Sequence, residues 1–373
     1  MEFGYKKNLK KLMLDFSRLK KHEIINFDPT LKLKFDDLKI KNFKRELNFF
    51  CFIEAIFFFF LELNFKDTRK RIADKYFYIY CKKIDPIIAI GNEIDGRILK
   101  FKKFFPKKLS ICFQMSIYRK GHESLTTNRL KNLNCDYFFT YDKWHTNYFN
   151  FIRSKFVESG SVKANFKKRN EEEKKYEILY ISQYREKSYL DPISYYYQSS
   201  SLMAVNNYWV FNKIAQLCES KKKKLCIALT SNRIEKKNKI QFENELKFFK
   251  DINEKFYYEK IDNFQLANKS KLIISTDSTL GVELFFLGYK VLFINPFGFL
   301  GKTHIFEGKS EEGAFWINNQ SLKNFGEKVE KLIKLSNDEY KNIITQEKFE
   351  INYDYNNSKL IKIIKDYKYK QNI

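Results

Sequence analysis

Between Lys271 and Asn295 the chain sets four hydroxyls and a carboxylate in consecutive positions, Ser275, Thr276, Asp277, Ser278 and Thr279. A second carboxylate, Glu283, follows four residues after Thr279. Apolar runs flank this turn, Leu272 to Ile274 before it and Val291 to Ile294 after it, each with the length and composition of a buried strand. The turn therefore falls where a strand feeds a helix. Backbone N–H groups at a helix start lack intrahelical partners and carry partial positive charge, which suits a phosphate group. Glu283 stands about one turn inside that helix, placed to reach ribose hydroxyls. A helix N-cap needs one hydroxyl, and a crowd of four points to a ligand-binding turn.

Two more groups of polar residues close apolar runs, Ser182 with Gln183 and Thr230 with Ser231. In open α/β sheets ligands bind outside the carboxyl ends of strands. Three such ends in register would line one side of a cleft.

The elements needed to place these residues can be read along the chain. Strands are expected at 22–27, 87–90, 109–113 and 137–140, with helices at 43–63 and 68–81. Residues 162–176 form the most polar passage and read as an interdomain linker. Beyond it strands at 177–182, 225–229, 256–258, 271–275 and 291–294 alternate with helices at 203–219, 240–252, 263–269, 280–287 and 321–335. A lysine-rich helical segment runs from Tyr340 to Tyr369. Short apolar strands separated by helices imply parallel sheets with crossovers. The fold class is α/β, with two Rossmann-like domains and an interdomain cleft. The domains are expected at 1–165 and 166–345, with a C-terminal helix at 346–373 long enough to cross back to the first domain.

The string Ser275-Thr-Asp-Ser-Thr-Leu-Gly-Val-Glu283, with Gly288-Tyr-Lys-Val-Leu292 behind it, resembles the second domain of GT-B-type enzymes of surface polysaccharide synthesis. It is most similar to a group of bacterial surface carbohydrate biosynthesis proteins. It is more distantly similar to the capsule Kdo- and sialic-acid transferases and the glycerophosphate transferases of teichoic acid synthesis. Asp85-Pro-Ile-Ile-Ala-Ile-Gly-Asn-Glu-Ile-Asp95 looks like that family's strand ending in an Ile-Asp pair. Ser110-Ile-Cys-Phe-Gln114 looks like its next strand, although Met115-Ser116 replaces the usual Asn-Gly or His-Gly. Cys135 to Thr140, Val157 to Asn165, Leu179 to Tyr184 and Ile227 to Arg233 extend the resemblance from roughly residue 80 to 320.

The resemblance implies a metal-independent glycosyltransferase using a nucleotide-activated sugar or polyol phosphate. Its acceptor would be a glycan or lipid-linked glycan, and no cofactor is implied. Ser182, Gln183, Thr230, Ser231, Ser275, Asp277, Ser278, Thr279 and Glu283 would hold the donor. Transfer also needs a base for the acceptor hydroxyl, drawn from Asp95, Glu93, His122 and Glu123, with Gln114 and Arg119 on the acceptor side. Two other readings stay open. A non-hydrolysing sugar-nucleotide epimerase would need no acceptor, and a non-catalytic polyanion-binding scaffold would keep the fold without the chemistry.

Composition sets outer bounds. The 373 residues carry 44% hydrophobic residues, enough for two cores. Lys and Arg number 70 against 45 Asp and Glu, a formal net charge of +25 that favours anionic partners. No zinc spacing, RNA-binding signature or recognition helix accompanies it, so no specific nucleic acid is expected. The sequence also lacks a Gly-x-x-x-x-Gly-Lys-Ser/Thr loop, a dinucleotide fingerprint and an Asp-x-Asp pair, and its four histidines are scattered. The six cysteines form no Cys-x-x-Cys pair and read as small buried hydrophobes in a reducing compartment. Phe49 to Leu61 is apolar but well short of the ~20 residues of a membrane span, and reads as a buried helix. The segment 5–21 pairs an apolar stripe with lysines and arginines. It suits an anionic membrane surface or docking on its own domain equally. The expected location is the cytoplasm, and the membrane-surface reading of that helix would add peripheral attachment to the inner membrane face.

Overall fold

A computed structural model describes residues 24–26, 40–42, 49–61, 68–93, 97–118, 134–170, 172–184, 195–230, 239–276, 278–296, 304–306, 308–319 and 321–371. The basic segment 5–21 lies outside them. The chain divides into two compact units. The first takes Met1–Met115, Ser124–Lys163 and Asn357–Ile373; the second takes Ser116–Glu123 and Ala164–Asn356.

The first unit is built on β1 (Ile24–Asn26), β2 (Ile40–Asn42), α1 (Phe49–Leu61), α2 (Thr68–Ile84), β3 (Ile88–Asn92), α3 (Arg97–Phe104), β4 (Leu109–Phe113), β5 (Asn134–Thr140), α4 (Lys143–Tyr148) and β6 (Arg153–Glu158). Its sheet runs β2-β1-β3-β4-β5-β6, with every pairing parallel. β3 and β4 are buried at every residue, which is why both read as unbroken apolar runs instead of alternating ones. Asp136 pins β5 to β4 by accepting from Ser110 N–H at 2.8 Å and from Lys102 Nζ at 2.6 and 2.7 Å. α1, expected as a buried helix, is buried along one stripe only: it is inaccessible at Cys51 and Ala55 and open to solvent at Ile53 and Phe57.

The second unit contains β7 (Tyr176–Ile181), α5 (Tyr195–Ser220), β8 (Leu225–Ala228), α6 (Lys239–Ile252), α7 (Asn263–Asn268), β9 (Ser270–Ser275), α8 (Thr279–Phe286), β10 (Val291–Ile294), β11 (Glu312–Gly313), β12 (Trp316–Ile317), α9 (Phe325–Lys334) and α10 (Asn337–Gln346). Its order is β11-β12-β10-β9-β7-β8, parallel except for the β11–β12 pair. Residues 256–258 do not form the strand expected there. Only Tyr257 pairs, bridging to β8 through Tyr257 N–H to Leu225 O and Ile227 N–H to Tyr257 O. Behind β10 an aromatic core gathers Phe285, Phe293, Phe306, Phe315, Trp316 and Phe349, with Phe315 and Phe349 centroids 5.0 Å apart. Gly313 is required there, since any Cβ would meet the Trp316 ring.

The polar passage before β7 is laid against the second unit. Asn170 N–H donates to Asn268 Oδ1 at 3.1 Å, Lys175 N–H donates to Lys269 O at 2.9 Å, and the Arg169 guanidinium donates to Gly288 O. At the other end, the segment expected as one helix from Tyr340 to Tyr369 is two. α10 ends at Gln346 and α11 (Ser358–Lys370) follows. Phe349 inserts into the aromatic core between them, and Asn356 and Asn357 adopt left-handed φ of 54° and 55°, a conformation Asn tolerates. α11 belongs to the first unit. Lys359 Nζ donates to Glu158 O at 2.6 Å, Tyr367 Oη to Lys107 O at 3.1 Å, and Leu360 and Ile364 are buried.

All six cysteines are buried and none is in a disulfide. Burial pushes the Cys218 and Cys226 thiols up to about 12, so they stay protonated. Among the described residues no helix is long and apolar enough to cross a membrane.

Candidate functional site

The hydroxyl-rich turn joins β9 to α8. Ser278 is the N-cap, with φ −100° and ψ 133°, and its side chain accepts from Leu280 N–H at 3.3 Å. No acidic residue occupies the first turn of α8, so the partial positive charge of the helix start is uncompensated by its own side chains. Ser275 and Thr276 are 0% and 2% exposed. Their hydroxyls have no hydrogen-bond partner among the described residues. A buried polar group left unpaired costs about 1–3 kcal/mol, so two in sequence mark a place where packing alone is not the whole account. Ser275 also explains Gly281: a Cβ there would collide with the Ser275 side chain, so β9 and α8 approach closely only with glycine at that position. Thr279 Oγ1 accepts from Ile117 N–H at 3.4 Å, within the same unit. Glu283 is buried on the next turn of α8. Asp277 lies outside the described residues.

The neighbouring strand ends are organised by a residue that sequence reasoning missed. Glu245, on α6, is fully buried. It accepts from Ser182 Oγ at 2.5 Å, from Thr230 N–H at 2.8 Å and from Thr230 Oγ1 at 3.0 Å. Ser182 Oγ in turn accepts from Tyr184 N–H at 3.1 Å. Asn207 on α5 does similar work, accepting from Tyr180 Oη at 2.7 Å and from Gln183 N–H at 3.2 Å. The hydroxyls of Ser182 and Thr230 thus build the ends of β7 and β8, and the Gln183 side chain is half-buried beside them. Glu245 was detectable in principle, because it stands in the apolar stripe of α6 between Phe242 and Phe249 where a carboxylate needs partners. Ser231 lies outside the described residues. The structure therefore brings the expected groups to adjacent strand ends, in the order β9, β7, β8.

In the first unit the strand ends are also closed by side chains. Glu93, 1% exposed, accepts from Met115 N–H through both carboxylate oxygens at 2.8 and 3.0 Å, tying the end of β3 to that of β4. Gln114 Oε1 accepts from Tyr141 N–H at 3.1 Å, tying β4 to β5. Asp142 caps α4, accepting from His145 N–H at 2.9 Å and contacting His145 Nδ1 at 2.8 Å. His145 is fully buried, which fits packing. Of the residues expected on the acceptor side, Asp95, Arg119, His122 and Glu123 lie outside the described residues.

Residues 120–368 match a protein-family model described as "putative O-antigen biosynthesis protein". A search of curated proteins finds no match. Among solved structures, the UDP-GlcNAc 2-epimerase of Methanocaldococcus jannaschii in complex with UDP-GlcNAc and UDP aligns over 93% of this chain and 99% of that one, with TM-score 0.52 and 13% identity. The S. aureus MnaA–UDP co-structure aligns over 95% and 97%, with TM-score 0.51 and 13% identity. The wall teichoic acid polymerase TagF aligns over 93% and 81%, with TM-score 0.48 and 11% identity. The first two likenesses are of fold: the chain shares the two-sheet α/β architecture of these proteins.

Proposed function

Because this chain belongs to the O-antigen biosynthesis protein family, we propose that it binds a nucleotide-activated sugar in its second unit and transfers the sugar to a glycan or lipid-linked glycan. The observation that carries this reading is the β9–α8 turn, with two buried, unpartnered hydroxyls and a buried carboxylate one turn on. On this reading the α8 start and Ser278 and Thr279 take the phosphate oxygens. Ser275 and Thr276 supply hydroxyl donors, and Glu283 accepts from the ribose. Ser182, Gln183 and Thr230 shape the neighbouring wall, with Glu245 holding two of them in place.

The acceptor hydroxyl forms a new bond to the anomeric carbon as the carbon–oxygen bond to the nucleotide phosphate breaks. The electron pair leaves on the phosphate oxygen, where fixed N–H and O–H donors stabilise developing charge. The acceptor proton passes to a base, for which Asp95, His122 and Glu123 are the candidates. Glu93 is already engaged with Met115 N–H and serves as a positioning residue. We infer that the leaving group needs no metal, and that the acceptor brings the enzyme to the inner membrane face.

Support for a uridine nucleotide comes from the fold it shares with proteins whose structures hold UDP or UDP-GlcNAc. The first of them, a UDP-GlcNAc 2-epimerase by name, favours a second reading, epimerisation of the bound sugar nucleotide without an acceptor. Incubating the protein with labelled nucleotide sugars in excess chelator, with and without a membrane-lipid extract, separates the two. Acceptor-dependent release of nucleotide supports transfer. Conversion to an isomeric sugar nucleotide without acceptor supports epimerisation, and neither product in any condition overturns both.

A further inference from the structure

At the opposite end of β9 from the hydroxyl turn lies a cavity of about 210 Å³. Four cations converge on it from separate stretches of the second unit: Arg169 and Lys174 before β7, Lys271 in β9, and Lys290 just before β10. No carboxylate is among the described residues lining it. The first residues of α10 complete the wall, with Ser336 as N-cap and Asn337 following it; Asp338 and Glu339 in the same first turn offset the partial positive charge of that helix start.

Main-chain carbonyls hold three of these cations in place. Arg169 donates to Gly288 O and lies over the Tyr289 ring at 5.3 Å. Lys174 Nζ donates to Asn268 O at 2.5 Å. Lys290 Nζ donates to Ile333 O at 3.1 Å and Leu335 O at 2.7 Å, closing the end of α9. Of the described carboxylates nearby, Glu177 pairs with one of the four cations and two others are held by neighbouring N–H groups. Glu177 takes Lys224 N–H at 2.8 Å and stands 3.5 Å from Lys271 Nζ. Glu339 takes Ser336 N–H at 2.6 Å, and Glu172 takes Asn268 Nδ2 at 3.3 Å. Burial, then the charges of Arg169, Lys174 and Lys271, depress the Lys290 ammonium below its ordinary value.

Glu177 offsets the Lys271 charge in part, but the charges of Arg169 and Lys290 repel across the concave space, and the carbonyl dipoles that hold them do not neutralise them. An anion does. A guanidinium carries five N–H donors and an ammonium three, so the anchoring carbonyls leave donors on Arg169, Lys271 and Lys290. We propose that this cavity binds a phosphate group, as inorganic phosphate or a phosphomonoester, independently of the β9–α8 turn. A tetrahedral dianion matches donors arriving from several sides, and the planar fork of Arg169 suits two of its oxygens.

Lysine footprinting of the full chain tests this. Acetylation rates at Lys174, Lys271 and Lys290 are read by peptide mass spectrometry in chloride and in phosphate or glucose 1-phosphate at matched ionic strength. A further arm uses phosphatidate vesicles against neutral ones. Several-fold protection of Lys271 by a soluble phosphate assigns a soluble ligand; protection by phosphatidate vesicles alone assigns a lipid headgroup. Protection should be lost in Arg169→Gln and unchanged in Glu283→Ala. No protection in the wild-type chain, or protection that disappears in Glu283→Ala, overturns the assignment.

Discussion

Ser182 at the end of β7 and Glu245 in the middle of α6 are joined by a 2.5 Å hydrogen bond between two fully buried groups. The same carboxylate takes the N–H and hydroxyl of Thr230 at the end of β8. One acidic side chain thus fixes the relative height of two strand ends beside the turn assigned to the nucleotide.

Replacing Glu245 by alanine should be costly. It leaves the buried Ser182 hydroxyl without its acceptor, an orphaned donor that costs about 1–3 kcal/mol, while the donors of the exposed Thr230 can turn to water. Glu245→Ala is expected to lower unfolding free energy by about 2 kcal/mol or more, read from urea midpoints at constant slope. Glu245→Gln keeps an acceptor oxygen and should lose less.

The contact between Ser275 and Gly281 makes a coupled prediction. Gly281→Ala forces a methyl group into the Ser275 side chain, and overpacking of this kind costs typically 1–3 kcal/mol, roughly. Ser275→Gly removes the obstructing atoms, so the double variant should recover much of the loss. A double-mutant cycle with no coupling would contradict the close approach of β9 and α8.

Acid sensitivity should trace partly to Glu259. Its carboxylate takes Lys175 Nζ at 2.6 Å, Tyr176 Oη at 2.5 Å and Lys269 Nζ at 2.9 Å, and these bonds hold its pKa down to about 2. A carboxyl depressed in the folded state contributes stability that is complete above its ordinary value and lost as pH falls towards the folded one. Glu259→Gln should therefore be less stable than wild type near neutrality. The gap should narrow as the pH falls from about 4.5 towards about 2, as seen in urea midpoints measured across that range. A gap independent of pH would sink the assignment.

Much of this architecture can be read directly from the chain. β4 and β10 are legible at both ends because a strand buried on both faces is an apolar run with polar stops. The β9–α8 turn was legible because its hydroxyls exceed what a cap uses. What escaped was set by distant partners. Glu245 acquires its role from Ser182 and Thr230, 63 and 15 residues away. The break between α10 and α11 depends on Phe349 joining an aromatic core assembled from β10, β12 and α8. β2, three residues of Ile-Lys-Asn, carries too little pattern to announce itself.

The central claim is that the β9–α8 turn holds a nucleotide, and ligand-dependent melting in chelator tests it most directly. UDP, CDP, GDP, CMP and their sugar or glycerol conjugates are compared on the wild-type chain, Ser278→Ala and Glu283→Ala. A ligand at 100 times its dissociation constant adds about 2.7 kcal/mol to stability, a clear rise in melting temperature. The account predicts such a rise with the nucleotides of one base, reduced in Ser278→Ala and lost in Glu283→Ala. A cooperative melt that no nucleotide shifts, or a shift that survives intact in Glu283→Ala, would contradict it.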